Sequence, residues 1–410
     1  MRKVFLKVVI LASLLPLLSF SPALAGAYPP YPNPEIDPFP DESGFDNQQG
    51  SGTLNPLTGL PVHDPAGLYK PPALISITNW PVSARPQAGL SYASMVFEFS
   101  IGDGESRFLS VFYGDLPSEE LEITTHTGTA RTNTVVGPLR SGRLFYENLR
   151  RAYHGNLYMA SAFKGVRDNL NRYNIFYGSD ADIISAFVEV KELKKIAEES
   201  DLKVDPQTMT VNLFDSHPPL GGVAGSDLWF IYNAQDQVHW QYDPFQETYI
   251  RYQDLADGQT FVAASDRINQ QTLDFENVIL LFANHRYCTQ YAYDVDFLYQ
   301  DIQPAVLFRD GKVYEIYWTT RNDDFEKTTG TLRPIRFVYR EGTPFPLKPG
   351  QTWMHMVPLN TPYWEAPAAE DLFSLLNKQE PGSGNWVARF YSSMMVYDKA
   401  VCDQIGYKVE

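Results

Sequence analysis

The chain has 410 residues, of which 49 are Asp or Glu and 33 are Lys or Arg, and its net charge is −16. Nucleic acid requires a basic face and an anionic membrane surface attracts cations, so this charge argues against both as partners. An excess of acids of this kind is typical of the surface of a highly soluble protein.

Residues 1–25 have the features of a secretory signal peptide. They begin with basic residues, continue with an apolar run interrupted by Pro16, and end with Ala-Leu-Ala at 23–25, which is a small-residue cleavage site. The apolar run is too short for a membrane span. Cleavage would remove three positive charges and take the net charge from −16 to −19. We therefore expect an extracellular or envelope-associated protein with no stable membrane span after the signal is removed.

Residues 26–53 are rich in Pro, Asp, Gly and Asn. Such a composition cannot bury an apolar core, so it predicts a flexible spacer. Globular sequence begins near residue 54, and the remaining length of about 355 residues suits two domains of ordinary size.

The predicted first domain, residues 54–215, mixes strands and helices. Apolar runs typical of strands occur at 72–80, 94–101, 106–115 and 156–163. The sequence Gly-Asp-Gly-Glu at 102–105 predicts a hairpin turn between two of them. Ser141 suits the N-cap of a helix that ends at Gly155, and a second helix is expected over 180–200.

The predicted second domain, residues 216–360, consists mainly of strands. In the run AVLFRDGKVYEIYW, Asp310 and Gly311 lie between two apolar segments and predict a type I′ hairpin. Residues 361–410 add a short helix at 368–379 and a last strand, and we expect this extension to pack on the second domain. The expected fold class is α+β, with a mixed α/β first domain followed by a mainly antiparallel β second domain.

Cys288 and Cys402 are the two cysteines of the chain. In an exported protein such a pair often forms a disulfide. Two separate buried thiols are the alternative, because a sequence does not show whether the two Cα atoms approach each other. The seven histidines are scattered without a pair at zinc-ligand spacing, and no Gly-rich phosphate loop follows a strand, so we expect neither metal nor cofactor.

Four segments together resemble the YerB-like family of exported bacterial proteins, which is labelled as a domain of unknown function. The segments are NPLTGLP at 55–61, ARPQAGLSYASMVFEF at 84–99, VGPLRSGR at 136–143, and the run from NVILLFANHRY through VLFRDGKVYEIYW to LKPGQTWMHMVP. The resemblance covers residues 54–360 and implies an envelope location and a two-domain build. Many family members are lipoproteins, whereas this chain has no lipid-accepting Cys near its cleavage site.

Five charged residues form the candidate site: Arg85, Glu98, Arg107, Arg140 and Arg143. Arg140 and Arg143 stand where a helix is expected to begin, although a helix N-terminus favours anions. Glu98 lies within an apolar strand, and a buried Glu requires a partner. In a structural interpretation, Arg140 or Arg143 pairs with Glu98 and satisfies both charges.

In a functional interpretation, the arginines bind a carboxylate or phosphate from outside, with Glu98 orienting one of them and Arg85 and Arg107 in support. We therefore predict a non-catalytic binding module for an anionic envelope ligand or an envelope protein. The alternative is a cell-wall-active hydrolase that uses Glu98 as acid or base, for which the second carboxylate is not identified. A third hypothesis is a scaffold that contacts envelope proteins through a flat apolar patch.

Overall fold

The computed structural model describes residues 54–408, except residues 103, 126–127, 180, 369–377 and 392–396. The predicted signal peptide and spacer lie outside the described residues, and so does most of the helix expected at 368–379. The described residues thus include most of the sequence that was expected to be globular.

Strands make up most of the regular structure. They are β1 (Ala73–Thr78), β2 (Met95–Ser100), β3 (Ser106–Phe112), β4 (Glu120–Thr125), β5 (Gly128–Asn133), β6 (Val135–Val136), β7 (Asn156–Met159), β8 (Tyr173–Ile175), β9 (Val188–Glu189), β10 (Val223–Ala224), β11 (Asp227–Asn233), β12 (Asp236–Asp243), β13 (Thr248–Asp254), β14 (Phe261–Ala263), β15 (Asp274–Phe275), β16 (Asn277–Ala283), β17 (His285–Thr289), β18 (Ala292–Val295), β19 (Gln303–Arg309), β20 (Lys312–Thr319), β21 (Arg336–Val338), β22 (Thr352–Pro358), β23 (Tyr363–Ala366) and β24 (Asn385–Arg389). The α-helices are short: α1 (Tyr146–Ala152), α2 (Lys164–Arg167), α3 (Val190–Glu199), α4 (Pro206–Met209), α5 (Asp324–Thr329) and α6 (Lys399–Gln404). Short 3-10 helices occur at Pro65–Tyr69, Val82–Ala84 and Leu90–Tyr92.

Eleven strands form the main sheet, in the order β10-β20-β19-β16-β22-β2-β3-β1-β7-β8, with β21 paired to β20. The sheet is continuous across the predicted domain boundary, because β22 lies parallel between β2 and β16. The molecule is mostly β with several sheets and short helices. It does not confirm two separate domains, since strands from 54–215 and from 216–360 share one sheet, and the boundary at residue 215 stays a prediction.

A second sheet packs on one face of the main sheet. Its order is β14-β13-β12-β11-β24-β23, with β15 on β13. Phe108 and Trp353 of the main sheet and Trp240 of the second sheet belong to one apolar core. On the opposite face of the main sheet, Phe99 packs with Phe145 near α1 in another core, which also contains residues of the β17–β18 hairpin. The main sheet is therefore covered on both faces.

Two hairpins agree with the sequence. Around the β19–β20 turn, Asp310 and Gly311 have φ angles of 54° and 67°, and a type I′ turn requires positive φ at both central residues. The predicted β2–β3 hairpin is also confirmed, because Ser100 pairs with Ser106. These turns are local, so the residues that specify them are adjacent in the sequence.

The predicted helix start at Ser141 is wrong. The backbone of 138–140 is extended and pairs with β1: Thr78 N–H donates to the Pro138 carbonyl and Arg140 N–H to the Ser76 carbonyl, both at 2.9 Å. The helix α1 begins only at Tyr146, without a side-chain cap. Pairing with β1 satisfies the hydrogen-bonding groups of this backbone segment. The segment is therefore extended, and Ser141 does not serve as a helix N-cap. The second predicted helix, over 180–200, is also shorter, and α3 begins at Val190.

The described parts of the C-terminal extension contact residues of both 54–215 and 216–360. In the first range, Asn169 Nδ2 donates to the Gln404 carbonyl at 3.0 Å. Strand β24 runs parallel to β11 at the second sheet. A disulfide joins Cys288 of β17 to Cys402 of α6, with 5.0 Å between the two Cα atoms. The two cysteines are therefore bonded, the outcome that the sequence left open against two free thiols.

Candidate functional site

The β2–β3 hairpin places the predicted site residues on opposite faces of the main sheet. Phe99 is paired with Arg107, and Glu98 is paired with Phe108. Paired residues of neighbouring strands share a face, and successive residues of one strand alternate between faces. Arg107 therefore lies on the face of Phe99, while Glu98 lies on the face that the second sheet covers.

Arg107, Arg140 and Arg143 come together on the first face, and we call them the arginine cluster. The extended segment 138–140 holds Arg140 beside the end of β1, and Arg143 follows just before α1. Arg107 projects from β3, and its Nη1 donates to the carbonyl of Ser141 at 2.8 Å. Arg107 is buried, whereas Arg140 and Arg143 are half-buried, so the cluster reaches solvent through the latter two.

Within the described part of the chain, no carboxylate forms an ion pair with the arginine cluster. The Nε atoms of all three arginines are buried there without a hydrogen-bond partner. The phenol groups of Tyr146 and Tyr293 lie close enough to Arg107 and Arg143 to interact with them electrostatically. Burial raises the pKa of both phenols, so they stay neutral and leave the positive charge of the cluster uncancelled.

The pKa values of Arg107 and Arg143 show that bringing these cations together is electrostatically unfavourable. Burial lowers the pKa of Arg107 well below its ordinary value, and the charges of Arg143 and Arg140 lower it further. Burial also lowers the pKa of Arg143. A guanidinium nevertheless keeps its proton in proteins, so the lowered pKa expresses the unfavourable energy of gathering cations in a poorly solvated place. A bound anion would offset that energy.

Glu98 lies on the opposite face and is fully buried. Its partner is Arg251 of β13, whose Nη2 lies 3.3 Å from Oε1 and 3.2 Å from Oε2. Ser106 Oγ donates to Oε1 at 2.8 Å, and Trp353 Nε1 donates to Oε2 at 2.9 Å. Both carboxylate oxygens of Glu98 are thus satisfied by the protein.

The predicted pairing of Glu98 with Arg140 or Arg143 is therefore wrong. The alternation of side chains along β2 directs Glu98 toward the second sheet, away from the two arginines. Arg251 also fits this position better, since its guanidinium lies over the ring of Trp353 at 4.7 Å, a favourable cation–π arrangement.

Polar contacts extend from Glu98 into a larger set that we call the buried network. Asp236 accepts from Ser106 N–H at 2.6 Å and from Gln253 Nε2 at 3.2 Å, and Arg251 Nη1 donates to Gln253 Oε1. The members of the network are Glu98, Ser106, Asp236, Arg251, Gln253, Trp353 and also His355, whose Nδ1 lies 3.5 Å from Glu98 Oε2. It joins the main sheet to the second sheet through hydrogen bonds, and each of its members is buried.

His355 is neutral in this network. Trp240 Nε1 lies 2.9 Å from His355 Nε2, and an indole N–H only donates, so Nε2 is the accepting nitrogen. The proton is then on Nδ1, which lies 3.2 Å from Tyr232 Oη. Burial lowers the pKa of His355 well below its ordinary value, and the charge of Arg251 lowers it further.

Arg85 lies beside the buried network and not in the arginine cluster. Its Nη1 donates to the carbonyl of Asp254 at 2.7 Å, and its Nε donates to Asn79. The structure therefore brings three of the five predicted residues together and places Arg85 and Glu98 elsewhere. Sequence reasoning missed Arg251, although an Arg between apolar strand residues carries the same signal that singled out Glu98.

A cleft with a volume of about 360 Å³ lies at the turn of the β2–β3 hairpin, and we call it the aromatic cleft. Three hairpin turns meet there, those of β2–β3, β11–β12 and β17–β18. Its lining is Tyr232, Tyr287, Tyr293, Phe390 and Tyr391, with Ser100, Gly102, Gly104, Asn233 and Gln290. Tyr293 links cleft and cluster, because it lines the cleft and its ring stacks on that of Phe145, two residues after Arg143, with 5.5 Å between the ring centroids. Its hydroxyl donates to the Ser100 carbonyl at 2.5 Å.

A second cavity, also of about 360 Å³, lies near Lys70 and Lys194. Lys70 pairs with Glu198 at 3.1 Å, and Lys194 pairs with Glu119 at 3.0 Å. Because both cations are neutralised by carboxylates of the protein, this cavity offers less attraction to an anion than the arginine cluster does.

No helix among the described residues is long and apolar enough to cross a membrane. In that same portion of the chain, no group of three or more His, Cys, Asp or Glu side chains is arranged to hold a metal ion.

Comparisons with known proteins agree with the resemblance seen in the sequence. Residues 57–200 match the N-terminal domain, and residues 228–354 the C-terminal domain, of a family described as protein of unknown function (DUF3048). The chain is 26% identical over 323 residues to YerB of Bacillus subtilis (strain 168), which is provisionally named as a lipoprotein, and the match covers 74% of this chain and 86% of YerB. The crystal structure of YerB from Bacillus subtilis shares the fold, with a TM-score of 0.56 at 23% identity, covering 74% of this chain and 96% of that chain. The chain belongs to the YerB-like DUF3048 family.

Proposed function

We propose that this protein is a non-catalytic binding module of the cell envelope that holds an anionic ligand at the arginine cluster. The observation that supports this most is the gathering of Arg107, Arg140 and Arg143 without a described carboxylate partner. Buried and half-buried charges in proteins are normally paired, because isolated ones are costly. An external anion would complete the set.

The chemistry of the cluster favours a carboxylate or phosphate. A guanidinium presents its N–H groups as a planar fork that matches two oxygens of such a group. Arg140 and Arg143 are half-buried, and the Nε atom of each is buried without a hydrogen-bond partner, so both residues are partly shielded from water while part of each still reaches solvent. The envelope location rests on the predicted signal peptide and on the provisional lipoprotein name of the Bacillus subtilis relative.

The hydrolase alternative has less support. A glycosidase needs an acid that reaches the scissile bond and a second carboxylate across the cleft. Glu98 has an exposure of 0%, and Arg251, Ser106 and Trp353 occupy its oxygens. A substrate therefore has no route to this carboxylate, and Glu98 cannot act as acid or base on a saccharide from solvent.

Binding of inorganic phosphate to the full chain without its predicted signal peptide tests this proposal. We expect phosphate to raise the free energy of unfolding, by about 2.7 kcal/mol at a concentration one hundred times the Kd. Arg143→Gln should weaken phosphate binding at least tenfold, whereas Arg151→Gln, which removes an equal charge from an exposed position in α1, should leave it unchanged. Equal effects of the two variants, or no response of the wild-type protein to phosphate, would contradict the proposal.

A further inference from the structure

We infer that the aromatic cleft is the second half of this site and takes the sugar portion of an acidic saccharide. The carboxylate or phosphate of that saccharide then lies on the arginine cluster. This inference rests on the proposed function, because the cluster must bind the anionic group. It adds the chemical class of the ligand, which is a pyranose ring carrying one acidic substituent.

The lining of the cleft suits a sugar ring. It combines five aromatic side chains with the uncharged polar residues Ser100, Asn233 and Gln290, and its described lining includes no charged side chain. A pyranose presents apolar C–H groups on its faces and hydroxyls at its edge. Aromatic faces pack against the former, while amides, hydroxyls and backbone groups bond to the latter. The acidic substituent has no partner in the cleft itself and so depends on the arginines.

The cleft also has a floor and an accessible rim. Tyr232, Tyr287 and Tyr293 are buried, whereas the side chain of Tyr391 is 52% exposed. A volume of about 360 Å³ lies within the range of about 300–1,000 Å³ that is usual for small-molecule sites. The cleft is therefore of a size for a small saccharide and can be entered past Tyr391.

Close backbone packing forms the cleft before any ligand arrives. Gly102 and Gly104 have φ angles of 98° and 76°, which favour glycine. A Cβ at Gly102 would lie 2.5 Å from the ring of Tyr291, and one at Gly104 would overlap the side chain of Asn233. The three hairpin turns approach one another because these positions lack side chains, and a preformed cleft reduces the entropy lost on binding.

Tyr293 couples the two halves of the site. It is one of the residues that line the cleft, and its ring stacks on that of Phe145, two residues after Arg143, with 5.5 Å between the ring centroids. A ring that packs near Tyr293 therefore carries its acidic substituent toward Arg143. The site thus combines neutral aromatic rings in the cleft with arginines that have no carboxylate partner among the described residues, and a ligand with both a ring and an acidic group matches this combination.

Calorimetric titration of the wild-type protein with a set of small probes tests the inference. The acidic sugars are N-acetylmuramic acid for carboxylate and N-acetylglucosamine 6-phosphate for phosphate. The matched partial probes are lactate, inorganic phosphate and the neutral N-acetylglucosamine. We expect at least one acidic sugar to bind ten or more times more tightly than its acid alone and than the neutral sugar, and the carboxylate and phosphate arms show which acidic group is preferred.

Variants of Tyr391, at the rim of the cleft, show whether its aromatic ring contributes to binding by stacking on the sugar. Tyr391→Ala should weaken binding of the preferred acidic sugar at least fivefold and leave phosphate binding unchanged. Tyr391→Phe keeps the ring and should bind like the wild type. Tyr177→Ala, at a tyrosine that is 80% exposed and outside the cleft, controls for the loss of any surface tyrosine and should have no effect.

The outcomes distinguish this inference from the proposed function. If phosphate binds through Arg143 but acidic sugars bind no better than phosphate or lactate, the inference is overturned and the anion site stands. If the acidic sugars bind independently of Arg143, the link between cleft and cluster is overturned. If no anionic probe binds at all, the proposed function fails and the inference fails with it.

Discussion

The two faces of the β2–β3 hairpin use the same kinds of residue in opposite ways. On one face, the carboxylate of Glu98 is paired with Arg251 and accepts further hydrogen bonds from Ser106 and Trp353. On the other face, Arg107, Arg140 and Arg143 face two neutral phenols and no described carboxylate. The buried network is electrostatically complete within the protein, whereas the arginine cluster is not.

A structural ion pair can be told from a binding site by how stability responds to the loss of one charge. Removing one partner from a complete buried pair leaves an uncompensated charge, so it must destabilise the fold. Removing one cation from a group of like charges relieves repulsion, so it should cost little or even stabilise the fold. The two faces of the hairpin should therefore give stability changes of opposite sign.

Glu98→Gln should have the largest effect. The substitution preserves the shape of the side chain and leaves Arg251 buried without a counter-charge, for which we expect a loss of about 3 to 5 kcal/mol in the free energy of unfolding. Urea denaturation measures it. Arg251→Met in the same background removes the stranded cation, so the double variant should lose less than the two single losses combined. A loss below about 1 kcal/mol for Glu98→Gln would contradict the view of the network as a structural unit.

The fold could be predicted from the sequence wherever contacts are local. The Asp310-Gly311 turn and the 102–105 turn specify their hairpins from a few adjacent residues. The central position of β22 could not be predicted, because parallel strands have no connecting turn that records their pairing. Because this pairing leaves no local signal, the sequence suggested two domains, whereas strands from residues 54–215 and 216–360 share one sheet.

The site was only partly predictable from the sequence. Arg107, Arg140 and Arg143 were identified as candidates, but Glu98 was grouped with them, and only the observed hairpin register shows that it faces away from Arg107. The Arg251 partner of Glu98 is 153 residues away along the chain, and no local pattern connects the two. The aromatic cleft was equally hidden, because its walls come from three separate hairpin turns and from Phe390 and Tyr391.

The buried network should also make stability depend on pH. Burial and, to a smaller extent, the charge of Glu98 raise the pKa of Asp236 to about 6. An unfolded Asp has a pKa of about 3.9, so between these values the native state binds a proton that the unfolded state has lost. The contribution of Asp236 is therefore greatest at low pH, decreases as pH rises through about 4 to 6, and amounts to about 3 kcal/mol over that window.

Comparing Asp236→Asn with the wild type isolates this effect. The variant keeps an acceptor for Ser106 N–H and does not ionise, so its free energy of unfolding should change less than that of the wild type between about pH 4 and 6. Asp254 and Asp294 also have pKa values near 6, raised mainly by burial, so part of the pH dependence will remain. The exposed Asp324→Asn is the control and should follow the wild-type curve. Parallel curves for Asp236→Asn and the wild type would show that this carboxyl does not titrate as the structure implies.

Arg143→Gln should have the smallest effect on stability, and its sign is the informative part. In phosphate-free buffer the substitution removes one of three mutually repelling charges, and we expect a gain of about 0.5 to 1 kcal/mol in the free energy of unfolding. The matched control is Arg150→Gln, because Arg150 forms a two-point ion pair with Glu147 and its loss should destabilise by a similar amount. If Arg143→Gln destabilises the protein as much as Arg150→Gln, the cluster stabilises the fold and is not held ready for a ligand. If it stabilises the free protein while weakening phosphate binding, the chain maintains an unfavourable arrangement of charge that only an external anion relieves, and that combination is characteristic of a binding site.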